Sequence, residues 1–455
     1  MKTETEKSNS AIGSSGANSL EDLRKLIADS PMSSFQKIVI LMCFILNMID
    51  GMDILVVSFT ATKLEVEWGL SKSELGYIFS MGLFGMMSGC LLLAPLADKF
   101  GRSTMILVST TGVSISMLAT AFIDDYNLIL ILRLITGMGI GCLLPTMAAM
   151  ATEFSNEKTR NFNVAFFQAG WPIGAIVTGL FVSWAVPLYG WQSAYIAAGA
   201  ISALMLPLIW VYMPESIDFM SKKQPKNALK CINKLLGLMG HGEIDRLPQL
   251  NTEKTKETVV QKLFNQELKR PTILLWAGVF FSFMTLYTLI SWIPNIASTS
   301  GMPFELATYA GTALNIGAFI GTLVIGWAST WIGLNRLLFI YMLSACAFMI
   351  IYANVQLSYP ILFGIIVLIG FTVQGGMTGF YPAAARVYPL AIRASGIGWA
   401  MGIGRAGAIA GPALFGVIFD AGVSIQTLFI ILSAPMIFSG LAALYIPAKN
   451  LKPIE

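Results

Sequence analysis

Asp50 and Asp53 stand three residues apart in Asn47-Met48-Ile49-Asp50-Gly51-Met52-Asp53, inside an otherwise apolar stretch. On a helix, residues three apart share a face, so the two carboxylates are neighbours. Lys37 and Lys63 bracket the stretch at equal distances from Asp50. At about 1.5 Å per residue, Asp50 lies roughly 20 Å from either flank. Two carboxylates so close repel when both are ionised, and apolar surroundings add to the cost of charging either. Reversible proton exchange is the chemistry that suits such a pair. The alternative is a structural pair hydrogen-bonded to other helices.

Arginine supplies the opposite charge. Arg405 follows Arg393 along another apolar stretch and lies about 18 Å deep by the same rise. A guanidinium at that depth must face protein or water, and it matches a carboxylate in shape. Its partner could be Asp50 or Asp53, a substrate anion, or each in turn; a permanent ion pair is the other reading. Arg133, in Arg133-Leu-Ile-Thr-Gly137-Met-Gly139-Ile-Gly141, follows Asp125 closely and so lies nearer a surface. It either serves a role within the membrane or snorkels. Gln168, Trp171, Tyr287, Trp292, Asn315, Gln374, Tyr381 and Trp399 recur within apolar segments. Singly, each is most simply packing; together they could line a cavity for a flat organic anion. The expected proton-exchange pair is therefore Asp50 and Asp53. The expected substrate-binding set is Arg405, Asp53, Gln168, Trp171, Asn315, Gln374 and Trp399.

The elements that hold these residues follow from composition. The 455 residues are 55% hydrophobic and 12% charged, with a mean hydropathy of +0.71. Soluble proteins carry about twice that share of charge. Folded surface must meet solvent somewhere, so a chain this apolar is solvated by lipid. A net charge of +4 is too small and dispersed for a nucleic-acid partner. His241 is the only histidine, and the five cysteines form no CxxC or Cys/His spacing. Metal centres, histidine triads and disulfide frameworks are thereby excluded. No enzyme activity and no cofactor are expected.

A spanning helix needs about 20 mainly apolar residues. Twelve such runs occur, near 37–62, 73–95, 104–122, 127–151, 162–185, 192–212, 272–296, 305–328, 336–354, 359–382, 394–419 and 425–446. We number them as spans one to twelve. The expected fold is all-α and polytopic, with bundles 37–212 and 272–446 of six helices each. The charged segment 213–271 reads as a partly helical linker, with polar tails at 1–36 and 447–455. Six and six is an internal repeat at the level of hydropathy. Residues 1–35 lack the apolar run of a signal peptide. Of 29 basic residues, Lys63 and Lys72 fall in loops on one side and Arg133 and Arg405 within spans; the rest share the other side with both tails and the linker. The positive-inside rule makes that side cytoplasmic, in a cell inner membrane. Gly85/Gly89, Gly170/Gly174, Gly317/Gly321 and Gly407/Gly411, each pair four apart, read as close helix packing. Gly402-Ile-Gly404-Arg-Ala-Gly407 fits GxGxxG only as a decoy, because no strand–turn–helix surrounds it.

These features resemble the major facilitator superfamily from about residue 35 to 447. Ala94-Pro-Leu-Ala-Asp98-Lys99-Phe-Gly101-Arg102-Ser103 is similar to its GxxxD(R/K)xG(R/K)(R/K) loop signature, with Ala94 and Ser103 as departures. The equivalent loop after span eight keeps Gly326 and Gly333 but has Thr330 in the aspartate position. Arg133 with its glycines, and Met213-Pro214-Glu215-Ser216, are similar to two further motifs. The resemblance implies alternating access, with a gating network of Asp98, Gly101, Arg102, Glu153 and Arg160 at the cytoplasmic ends. It links Arg133 to proton coupling.

Asp50-Gly51-Met52-Asp53 looks like the DGxD of the aromatic acid/proton symporter family. Tyr388-Pro389, Arg393-Ala-Ser-Gly396, Gly404-Arg405 and Gly411-Pro412 are similar to that family's span eleven. The implied function is import of a benzoate-like or hydroxybenzoate-like acid with protons, the gradient being the only drive. The implied partners are the carboxylate, protons and the lipid bilayer, around a functional monomer. Carriage of another organic anion (muconate or nicotinate) and proton-driven export are the rival transport readings. A membrane sensor would need a larger added domain than this linker.

Overall fold

The computed structural model describes residues 20–247, 263–355, 358–389 and 392–446. The expected tail 447–455 and linker residues 248–262 lie outside them. Twelve helices are long and apolar enough to cross a membrane, from Ser34–Trp68 to Ile425–Leu444. The described residues contain no strand. The observed spans begin and end on local signals. Ser33 and Gln36 cap each other to start span one, and Gly69, at φ 65°, ends it. Ser71 and Glu74 form the same reciprocal cap at the start of span two, Lys72–Phe100. Asp125 caps span four, Tyr126–Glu153. Span four therefore starts two turns before Arg133, which lies inside the helix and not at its mouth.

Glycine sets how closely the spans approach. A side chain at Gly137 or Gly141 would collide with the carbonyls of Gly82 and Met86, locking span four onto span two. Gly85 and Gly89 meet the carbonyls of Leu134 and Met138 from the other side. Gly170 and Gly174 bring span five onto Phe44 and Met48 of span one. In the second half, Gly317 and Gly321 abut Val367 and Phe371, and Gly407 and Gly411 abut Phe280 and Met284. The four glycine pairs do what their spacing suggests.

The two halves meet on the face away from the linker. There Lys72 is ion-paired to Glu65 at 2.5 Å and donates to Asn295 Oδ1 at 3.0 Å. Asn295 Nδ2 donates to Glu65 at 2.7 Å, so spans one, two and seven are tied together. Backbone N–H groups of Lys72 and Ser73 donate to the Asp420 carboxylate at 2.8 and 2.7 Å. Asp420 of span eleven thus caps span two across the interface. Ser58 donates to the carbonyls of Ile290 and Ser291, and Ser80 to that of Ile409. Trp292 is fully buried, packs edge-on against Phe79 and donates to the Pro412 carbonyl at 3.1 Å. It belongs to this seal and contacts no ligand space. Among the described residues, no hydrogen bond joins the halves at the linker face.

Leu20–Asp29 forms an additional amphipathic helix. Leu23 and Ile27 are buried with Met213, Ile217, Met220, Ile232 and Leu236 of the linker helices. Arg24 is ion-paired to Asp218. The tail read as merely polar is, from Leu20 onward, packed onto the first half.

Asp420→Ala removes the cap that crosses the interface. With the native cysteines replaced and Ser80→Cys as reporter, maleimide labelling of the detergent-solubilised protein is expected to rise several-fold. Unchanged labelling would show that Asp420 does not hold the seal.

Candidate functional site

Just beneath the seal lies a cavity. Span one contributes Asp53, Ile54 and Val57 to its wall, and span two Ile78, Phe79, Gly82, Leu83 and Met86. Span four adds Arg133, Thr136, Gly137 and Ile140. From the second half come Tyr287 and Ser291 of span seven. The cavity therefore straddles both halves.

Asp53 is fully buried, and neither of its carboxylate oxygens has a hydrogen-bond partner. Asp50 lies one turn toward the linker face, 2% exposed, with both oxygens equally unpartnered. The structural reading of this pair required bonds from other helices, and none is made. Gly51 lies between them because the backbone of span five occupies the place of a side chain: a Cβ there would strike the Trp171 carbonyl. Asn47, a turn earlier, fastens the same contact by donating to the carbonyls of Phe167 at 2.9 Å and Gln168 at 3.3 Å. The DGxD spacing is thus a close helix crossing with a carboxylate on each side.

Arg133 is 3% exposed and does not snorkel. Its Nη2 donates to the Met117 sulfur at 2.9 Å and Thr120 Oγ1 at 3.5 Å. Its guanidinium lies 5.3 Å from the centre of the Tyr195 ring, a cation–π arrangement. Nε has no partner. Glycine packing of span four on span two carries this arginine inward.

Arg405 is half-buried and does not line the cavity. Asp50, Asp53, Arg133 and Arg405 are in no ion pair among the described residues, whose pairs include Arg102–Glu153 and Lys72–Glu65. Of the partners open to Arg405, neither Asp50 nor Asp53 is ion-paired to it in this structure. The guanidinium that shares a wall with Asp53 is that of Arg133. A residue's depth along its span carries no information about which neighbouring helix it faces.

Of the remaining expected contacts, none lines this cavity. Gln168 is exposed, Gln374 and Trp171 are half-buried, and Trp399 stacks on Trp276. Asn315 is buried and donates to its own helix at Gly311. The residues that do line it include Phe79, Met86, Thr136 and Ser291, which the sequence did not single out. The available signal was the i, i+4 spacing of Tyr287 and Ser291 on one face of span seven.

The gating set divides. Arg102 is ion-paired to Glu153, which also accepts from Ser216 Oγ and from the Asp218 N–H at 2.7 Å. Glu215 accepts from the backbone N–H groups of Arg102 at 2.6 Å and Ser103 at 3.3 Å, at the start of span three. Burial pushes its carboxyl above the usual range, against the pull of those N–H groups. Gly101, at φ 102°, leaves the room that Glu215 occupies. Asp98, by contrast, is exposed and not paired with Arg102. Arg160 pairs with Glu157, three residues before it, and stands apart from the Arg102–Glu153 pair. All of these contacts lie within the first half or join it to the start of the linker.

A family model described as the Major Facilitator Superfamily matches residues 43–384 and 275–454. The chain belongs to the Major Facilitator Superfamily. This member is a multi-pass membrane transporter and not an enzyme. It is 30% identical to the 4-hydroxybenzoate transporter PcaK of Acinetobacter baylyi, over 94% of this chain and 94% of that one. It is 29% identical to the gallate transporter of Pseudomonas putida, over 93% and 94% of the two chains. The resemblance to the aromatic acid/proton symporter family therefore runs the length of the chain. Among solved structures, an inward-facing, occupied bacterial homolog of the human lysosomal transporter Spinster superposes with a TM-score of 0.71. The alignment covers 93% of this chain and all of that one at 16% identity, and so speaks to the superfamily fold alone.

Gly51→Val is expected to cost about 1–3 kcal/mol, because the Trp171 backbone cannot give way as a flexible side chain would. Gly112→Ala has open space around it and is expected to gain up to about 1 kcal/mol in helix propensity. Thermal unfolding in detergent compares the two; equal midpoints would refute the close crossing.

Proposed function

We propose that this transporter imports an aromatic carboxylic acid together with protons by alternating access. The observation that carries the reading is a fully buried, unpartnered carboxylate, Asp53, sharing a cavity with the unpaired guanidinium of Arg133. An ionised Asp53 is stabilised by the nearby guanidinium. A proton on Asp53 removes that attraction and leaves Arg133 free to attract the substrate carboxylate. Phe79, Met86 and Leu83 supply flat, apolar walls for a ring. The relatives named for 4-hydroxybenzoate and gallate favour this substrate class. Arg405, half-buried in the second half, is the second anchor for the anion as it leaves.

We take the linker face as cytoplasmic, on the basic residues it carries, in a cell inner membrane and with both termini on that side. The sealed far face is then the outer one, and the halves are in their inward-facing arrangement. Import requires the Lys72–Glu65–Asp420 contacts to part and the linker-side ends to close. The expected unit is a monomer, since one chain encloses the whole cavity, and no cofactor takes part. One proton with a monoanion moves no net charge. A second proton, taken by Asp50, would add a drive of about 2.3 kcal/mol per 100 mV.

Asp53→Asn tests the coupling. In proteoliposomes with an acid exterior, it is expected to abolish accumulation of labelled 4-hydroxybenzoate while counterflow between equal pools persists. Accumulation with unchanged pH dependence would refute the role of Asp53.

A further inference from the structure

The geometry points to Tyr287 and Ser291 as the residues that make the carrier prefer a ring-hydroxylated aromatic acid over the unsubstituted one. This inference rests on the reading of the cavity as an aromatic-acid site. Three hydroxyl side chains line it: those of Thr136, Tyr287 and Ser291. Thr136 is already committed, since its oxygen bonds the Leu132 carbonyl at 2.9 Å and Ser116 at 2.7 Å. Neither Tyr287 nor Ser291 has a side-chain hydrogen-bond partner among the described residues, although Ser291 is only 8% exposed. The neighbouring seal does not use the Ser291 hydroxyl either, because Ser58 takes its backbone carbonyl instead.

The two free hydroxyls are one turn apart on the same face of span seven, roughly 6 Å along the axis. They belong to the second half, whereas Asp53 and Arg133 belong to the first. An aromatic acid with its carboxylate toward Arg133 and its ring between Phe79 and Met86 presents its far edge to span seven. A hydroxyl on that edge can donate to one of these oxygens and accept from the other. Benzoate would leave both unpartnered as it displaced water from them, and an apolar ring edge cannot compensate. A site built to bond a substrate hydroxyl rejects the analogue without it far more strongly than an apolar pocket rejects an added group. The contact also ties the substrate to both halves at once.

The test is the ratio of kcat/KM for labelled 4-hydroxybenzoate and benzoate, measured in proteoliposomes of the full chain. The wild type is expected to favour 4-hydroxybenzoate by at least about tenfold. Tyr287→Phe and Ser291→Ala should each shrink that ratio several-fold, mainly through KM for the hydroxylated acid, with benzoate uptake kept. Ser291→Thr retains the hydroxyl and should retain the ratio, which separates hydroxyl reading from a general disturbance of span seven. An unchanged ratio in both deletion variants, or no preference in the wild type, would overturn the inference while leaving aromatic-acid transport standing. Uptake of neither acid by the wild type would overturn both readings.

Discussion

A carboxylate buried in a membrane protein without a hydrogen bond is a cost that must be met, and Asp53 is where this structure meets it. Water is excluded and no donor reaches either oxygen. The surroundings are therefore arranged around what the group can do in place of pairing permanently. Span four brings Arg133 onto the same wall but turns its guanidinium toward Met117, Thr120 and Tyr195, which keeps it desolvated and out of any ion pair. Glycines at 85, 89, 137 and 141 make that approach possible, since any side chain there would meet a carbonyl. The seal overhead keeps the far side closed while the cavity exists.

The second region of concentrated charge follows a different rule. At the linker face, Arg102, Glu153, Glu215, Ser216, Asp218 and Arg24 satisfy one another through ion pairs and backbone donors. The helix at Leu20–Asp29 and the linker helices cover this cluster with apolar side chains. It fastens the ends of spans three and four to the start of the linker. Paired charge fastens the first half to the linker here, whereas Asp53 and Arg133 beneath the seal are in no ion pair among the described residues.

The sequence was most legible where one dimension suffices. Span length is set by bilayer thickness, and charge in a span is rare because lipid makes it costly, so twelve helices, Asp50, Asp53 and Arg133 could all be read from order along the chain. Glycines four apart were equally readable, because i, i+4 is the contact row of a helix. What order along the chain does not carry is rotation about each helix axis. Arg405 lies as deep as Asp50, yet nothing in its depth says which helix it turns toward. Asn315 and Trp399 were chosen for polarity or aromaticity in a span; neither lines the cavity, Asn315 donating to its own helix and Trp399 stacking on Trp276. Ser291 escaped notice because hydroxyls usually bond their own helix, as Thr288 does to Met284. Leu23 and Ile27 sat in a stretch dismissed for its polar average, although their spacing already described one apolar face.

The cap that Asp420 places on span two bears on how the halves separate. Two short backbone hydrogen bonds run to a single carboxylate, and the donors are the first free N–H groups of a helix fixed in its own half. Such bonds have almost no reach: a displacement of about 1 Å is enough to forfeit most of their strength. The contact therefore cannot stretch while the far face opens by degrees. It is made or it is lost, and with it goes the alignment that lets Lys72 touch Glu65 and Asn295 together. A boundary fastened this way has a threshold, which suits it to the alternating access proposed for this transporter.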